Sequence, residues 1–211
     1  MAILQNGPNG PITGKFGSVS AYILNGQNIV RGPKRKRTSP PSESELLNRK
    51  KQKVAGKFAG DNSRILDFGY QFLAKKGSRI GAFQLAQRHI FKEAIELDSE
   101  NNPFVNPEKL VVFAGQLTPL TNCEVSLHGD TIDLKWTSNG QYEDNSYKIN
   151  LALVGLEGES HLMTSITEVQ QGACTLQFKG ISRKNCDYHV YVGIWNTLYG
   201  DFSNSTYCGV I

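Results

Sequence analysis

No stretch of this sequence approaches the roughly 18 consecutive apolar residues that a membrane-spanning helix requires. The opening Met1-Ala2-Ile3-Leu4-Gln5-Asn6-Gly7-Pro8 has neither the basic start nor the long apolar segment of a secretory signal. Cysteine is scarce, with four in 211 residues, all in the second half and none in a Cys-x-x-Cys pair. That excludes a disulfide-packed miniature scaffold and argues against a zinc site. Catalytic signatures are missing as well. The chain contains no Gly-x-Ser-x-Gly, His-Glu-x-x-His, dinucleotide fingerprint or paired-carboxylate motif. The four histidines (His89, His128, His161 and His189) are scattered, and His189, with Asp187 two residues away, has no evident nucleophile. The expectation is a non-enzyme with no catalytic residues, no metal and no cofactor.

What is present describes a soluble globular chain: 39% hydrophobic residues and 20% charged, at a mean hydropathy of −0.36. The net charge of +4 conceals two unlike halves. Residues 1–107 hold 17 Lys/Arg against 8 Asp/Glu, and residues 108–211 hold 6 against 11. Such asymmetry predicts modules with different surroundings and permits contact between the basic half of one copy and the acidic half of another.

The positive charge concentrates in Arg31, Lys34, Arg35, Lys36, Arg37, Arg49, Lys50, Lys51 and Lys53, offset only by Glu43 and Glu45. A cluster of this kind attracts nucleic acid through counterion release, or an acidic protein surface. Its two blocks also have the spacing of a bipartite nuclear-import signal. A solvated linker followed by a charged helix face is the plainer reading.

Residues 6–17 alternate Gly7, Gly10, Gly14 and Gly17 with Pro8 and Pro11, which predicts an arm without regular structure. Gly10…Gly14-Lys15-Phe16 is not a phosphate-binding loop. Its glycines are too close, Phe16 replaces the Ser/Thr, and no helix follows. Next, Ser18–Leu24 and Gln27–Arg31 flank Asn25-Gly26, the preferred pair of a type I′ turn, and predict a β-hairpin. A two-stranded hairpin is marginal in water, so Tyr22, Ile23, Leu24, Ile29 and Val30 are candidate assembly residues.

After Pro40-Pro41, Ser42 and Glu45 form a capping-box pattern that starts a helix carrying Leu47, Val54 and Phe58 on one face. Further helices are expected over Ile65–Ala74 and Arg79–Leu97, with His89 on the surface of the last. From Lys109 the pattern changes to short alternating runs. Strands are expected at Lys109–Phe113, Glu124–Leu127, Thr131–Trp136, Tyr147–Leu153, Leu162–Ile166, Ala173–Phe178, Tyr188–Trp195 and Thr206–Val210, separated by Gly, Asn and Asp. This is the strand arithmetic of an immunoglobulin-like sandwich. A hairpin between the last two strands would bring Cys186 and Cys208 close, a candidate disulfide in an oxidising compartment and a free thiol pair elsewhere.

The set Trp136 and Tyr188-His189-Val190-Tyr191-Val192 resembles the core of fibronectin type III domains. Across the whole chain, Gly10–Val19, the hairpin ending Ile29-Val30-Arg31, the Pro-then-basic linker, Ser42-x-x-Glu45 and Lys109–Leu117 are similar to an uncharacterised Bacteroidetes family, a domain of unknown function. Tyr22-Ile23-Leu24-Asn25 departs from that family at the hairpin tip, where its members carry a Trp and a basic residue. The resemblance implies a fold more than an activity.

The reading is therefore an α+β chain: arm and hairpin (1–32), basic linker and helices (33–107), and an immunoglobulin/fibronectin III-like β-sandwich (108–211). The expected function is a non-catalytic assembly or adhesion subunit whose partner is itself or a larger particle. Phage-like particles and surface filaments suit that layout. The alternative is non-specific nucleic-acid binding through residues 31–53. Localisation is left open.

Overall fold

A computed structural model of the chain describes residues 2–4, 10–24, 26–33, 38–74, 80–138, 142, 144–156, 158–181 and 187–211. The fold is α+β, with helices and several antiparallel sheets. Its centre is the sheet with strand order β10-β9-β12-β13, with β14 also paired to β12. These strands are β9 (Tyr147–Val154), β10 (Ser160–Met163), β12 (His189–Asn196), β13 (Asp201–Phe202) and β14 (Thr206–Val210). Residues 149–154 and 190–194 are buried at every position. Both strands are covered on two faces, which accounts for the near-continuous apolar runs Ile149–Val154 and Val190–Ile194.

One face of this sheet meets the three-stranded sheet of β7 (Thr121–His128), β8 (Thr131–Thr137) and β11 (Ala173–Gln177), in the order β11-β8-β7. Ile132, Leu134 and Trp136 interleave there with Ile149, Leu151, Leu153, Val190, Val192 and Ile194 in a single core. Trp136 lies within that core, and its indole N–H donates to the Val169 carbonyl at 2.8 Å.

The opposite face, through Ala152, Val154 and Tyr191, packs on the helices. These are α1 (Glu43–Asp61), α2 (Ser63–Tyr70) and α3 (Ala82–His89). The Ser42 side chain accepts the Glu45 N–H at 3.3 Å, so α1 begins where the capping pattern predicts. Phe68 of α2 sits edge-on to Phe113, Trp195 and Phe202, an aromatic node joining the helical layer to the sheet. Trp195 is thus half-buried in β12 and lies in no exposed loop. Tyr191 adds a polar tie, its hydroxyl donating to the Pro107 carbonyl at 2.7 Å.

Four expectations are corrected. Ile12–Phe16 is not irregular but a strand, β2, held between β1 (Ala2–Leu4) and β3 (Val19–Leu24). Lys109–Phe113 is not a strand. Its tail is bound piecemeal, Val112 N–H to Ser205 Oγ at 2.9 Å and Ala114 N–H to the Gly69 carbonyl at 3.0 Å. The helix expected over Ile65–Ala74 is α2, which begins at Ser63 and ends at Tyr70. The helix expected to reach Leu97 ends in a π-turn at Ile90–Ala94. Ile95–Leu97 (β5) then pairs with Pro103–Val105 (β6), a ladder secured by Glu96, which bonds Lys109 and Asn106. Pairing of this kind outweighs the intrinsic helix preference of a few residues.

The hairpin is present: β3 pairs with β4 (Gln27–Arg31), and Gly26 takes φ 80 in the turn. Asn25 lies outside the described residues. With β1 and β2 it completes a four-stranded sheet in the order β1-β2-β3-β4. No residue of β2, β3 or β4 belongs to either hydrophobic core.

Candidate functional site

Strand alternation and register sort the side chains of this sheet into two faces. Phe16 pairs with Val19, Gly14 with Ala21, and Ala21 with Val30. Ile12, Phe16, Val19, Ala21, Ile23 and Val30 therefore share one face. On the other, Lys15 pairs with Ser20 and Ser20 with Arg31, forming a row across three strands, with Tyr22 opposite Ile29 beside it.

The apolar face is uncovered. Phe16 is 72% exposed, Val30 60% and Ile23 43%. Among residues 10–24, 26–33 and 38–53, Ala21 alone is buried. It is the small residue at the middle of the sheet, with the larger side chains around it. An open sheet with one apolar face normally packs that face on a second layer. Among the described residues, neither hydrophobic core includes a side chain of this face.

The opposite face is basic. Lys15, Gly17, Ser18, Ser20, Tyr22 and Arg31 line a concavity of about 450 Å³. The first 42 residues contain no Asp or Glu, against Lys15, Arg31, Lys34, Arg35, Lys36 and Arg37. Nothing acidic in that stretch offsets the row.

The candidate assembly residues are thus divided. Ile23 and Val30 stand on the apolar face, and Tyr22, Leu24 and Ile29 on the basic one. Of the basic residues, Arg31 ends the cross-strand row. Lys34, Arg35, Lys36 and Arg37 lie outside the described residues. Arg49, Lys50 and Lys53 are exposed on the first half of α1 and Lys51 is half-buried there. Arg49 is held by Glu45 at 2.8 Å. Phe16 and Lys15 were missed because the surrounding glycines and prolines read as an arm. The signal was the alternation Ile12-Thr13-Gly14-Lys15-Phe16.

Three histidines are engaged in packing, and His128 is exposed at the end of β7. His89 is not a surface residue but half-buried, its Nδ1 3.2 Å from the Tyr70 hydroxyl, which also donates to the Val111 carbonyl at 3.0 Å. Burial holds its pKa below the usual range against the opposing pull of Glu93. His189 meets the Tyr207 hydroxyl at 3.0 Å, and burial lowers it too, opposed by Asp187. His161 stacks near Phe178 and approaches Glu159 at 4.0 Å. It borders a small depression of about 200 Å³ between α2 and β10. There Ser160 Oγ donates to Asn62 Oδ1 at 2.5 Å, so these two polar groups bridge helix and sheet.

Among the described residues no group of three or more His, Cys, Asp or Glu is arranged to hold a metal ion, and no helix is long and apolar enough to cross a membrane. Cys186, one half of the candidate disulfide, lies outside the described residues. Cys123, Cys174 and Cys208 are free thiols, and Cys208 stands against Cys123.

No family model matches the chain, and no curated protein matches it. Among solved structures it is similar to the crystal structure of the chicken CNTN1 FN1–FN3 domains. That similarity covers 47% of this chain and 32% of the other, at 14% identity and a TM-score of 0.33. The chain therefore spans about a third of that structure's length.

Proposed function

We propose that this chain is a non-catalytic assembly subunit whose N-terminal sheet joins it to a second copy of itself, apolar face to apolar face. The observation that carries this reading is that Phe16, Ile23 and Val30, around Ala21, share one face of a four-stranded sheet and are open to solvent. Two such faces stacked about 10 Å apart form a sandwich whose core neither copy owns alone. Each large side chain removed from water contributes roughly 1.5–3 kcal/mol before the cost of association. The basic rows then point outward on both sides of the joint, away from each other. The two-fold arrangement is self-complementary, as closed dimers require.

The immunoglobulin/fibronectin III-like sandwich would be the body presented by this joint. That assignment rests on the partition into a three-stranded and a five-stranded sheet and on Trp136 in the core between them. Placement with the Bacteroidetes family it resembles rests on the Gly10–Val19 and Lys109–Leu117 motifs.

Replacing Phe16 and Val30 by Asp tests the joint, because both side chains are exposed and contribute little to the fold of one chain. By size exclusion with light scattering, wild type runs as an oligomer and Phe16→Asp/Val30→Asp as a monomer with an unchanged Tm. Equal masses for the two proteins would refute the reading.

A second reading has its own observation, the Lys15–Ser20–Arg31 row in an acid-free segment. Here the outward face binds nucleic acid through phosphates, with little sequence preference and a steep salt dependence. Binding of a labelled oligothymidylate, followed by anisotropy, should weaken several-fold in Lys15→Ser/Arg31→Ser. An unaltered affinity, or one that does not respond to salt, would eliminate this reading.

A further inference from the structure

Two irregularities in the sandwich bring a pair of thiols together. In the β7–β8 ladder, Thr121 faces Thr137 and Glu124 faces Lys135, so Asn122 and Cys123 together oppose Trp136. Asn122 takes φ 51 there. In the β12–β14 ladder, Val190 faces Gly209 and Tyr191 faces Tyr207, leaving Cys208 as the extra residue, followed by Gly209 at φ 112. Each is a β-bulge, the device by which a strand re-aims a side chain. Both cysteines are half-buried against the sandwich core, and β14 runs beside the start of β7, where the Thr206 hydroxyl donates to the Leu120 carbonyl at 3.0 Å, so that Cys208 stands against Cys123. The Cys208 thiol also donates to the Thr206 carbonyl at 3.6 Å. β7 belongs to one sheet and β14 to the other. The contact therefore spans the two layers.

We infer that Cys123 and Cys208 are an oxidation site that takes a small disulfide oxidant and closes an inter-sheet disulfide across the edge of the sandwich. The neighbouring Cys208 thiol stabilises the Cys123 thiolate and holds its pKa below the usual thiol range. Cys208 is pushed up by the same contact and by burial, and Cys174 is pushed up to about 11, chiefly by burial. Either thiol can open the exchange, and Cys123 is taken first below.

With oxidised glutathione, Cys123 gives its proton to water and its thiolate attacks one glutathione sulfur. The glutathione S–S bond breaks and one glutathione thiolate leaves. Cys208 then loses its proton and attacks the Cys123 sulfur of the mixed disulfide, releasing the second glutathione. Two protein thiols become one disulfide, and one glutathione disulfide becomes two thiols. The new bond closes a loop containing most of the sandwich, which restricts the unfolded chain strongly. This site is independent of the N-terminal sheet and of any assembly through it.

The test equilibrates the full chain with glutathione mixtures of rising oxidation and then counts thiols and maps cross-links by mass spectrometry. The expected result is a fall from four free thiols to two, a Cys123–Cys208 linkage, and a Tm higher by about 5 °C or more. Reduction should reverse all three. Cys174→Ser should retain the linkage, whereas Cys123→Ser and Cys208→Ser should each lose it. Four free thiols at an oxidising poise, or a linkage through Cys186 or Cys174, would overturn the inference. If a Ser variant fails to fold, the wild-type map decides.

Discussion

At the scale of single residues, the buried histidines give the chain a pH response. His89 and His189 are both held below the ordinary histidine pKa, mainly by burial. In the unfolded chain they titrate near the ordinary value of about 6.5. Below that value the unfolded state binds protons that the folded state resists, so stability is complete above about pH 6.5 and declines as pH falls toward the folded values. Tm should be flat between pH 7 and 8 and lower at pH 5. NMR titration should place both imidazoles below 6.5. A Tm that rises on acidification, or titration above 6.5, would contradict the packing described for Tyr70–His89 and His189–Tyr207. A second residue-scale constraint is Gly69. A Cβ there would lie 2.0 Å from the Val112 carbonyl oxygen, where α2 passes against residues 110–114. The backbone must move to admit it. Gly69→Ala should cost about 1–3 kcal/mol, read as a lower urea midpoint at unchanged slope. A neutral substitution would mean that α2 can slide freely over this segment.

At the scale of elements, the sequence was informative where local chemistry and tertiary packing agree. Ser42 and Glu45 marked the start of α1, Asn25-Gly26 lies between β3 and β4, and the alternation through Trp136 traced β8. Thr206–Val210 is a strand with the bounds its pattern indicates. Elements whose partners lie far away in sequence were harder to read. β2 carries glycine at position 14, with φ 108, and its ladders to β1 and β3 supply what its composition does not. Lys109–Phe113 has the apolar character of a strand because it is buried beneath α2 and against β12. Val112 and Phe113 bond Ser205, and Ala114, just beyond, bonds Gly69, instead of forming a ladder. The stop at Ile90–Ala94 depends on pairing with residues 103–105 and carried no Gly or Pro to announce it. The candidate surface was half visible. Ile23 and Val30 were recognised as apolar residues needing cover, but Phe16 completes the patch from a segment that local pattern assigned to an arm. Register, which single-strand patterning cannot supply, places Tyr22, Leu24 and Ile29 on the other side.

At the scale of the whole molecule, burial is divided unevenly. From Ala55 onward three layers enclose two cores, whereas residues 10–24, 26–33 and 38–54 contribute only Ala21 to the buried set. The N-terminal sheet pairs its four strands with one another and leaves Phe16, Ile23 and Val30 exposed, which is what the proposed joint would cover. Charge follows the same division, with an acid-free basic start joined to a C-terminal half in which acids outnumber bases 11 to 6. In high salt, attraction between the two halves is screened while apolar burial persists. Sedimentation equilibrium of the full chain at high concentration in high salt therefore tests the central claim most directly. The account predicts a mass at least twice the 23.3 kDa of one chain. A single species of one-chain mass across the concentration range would contradict it.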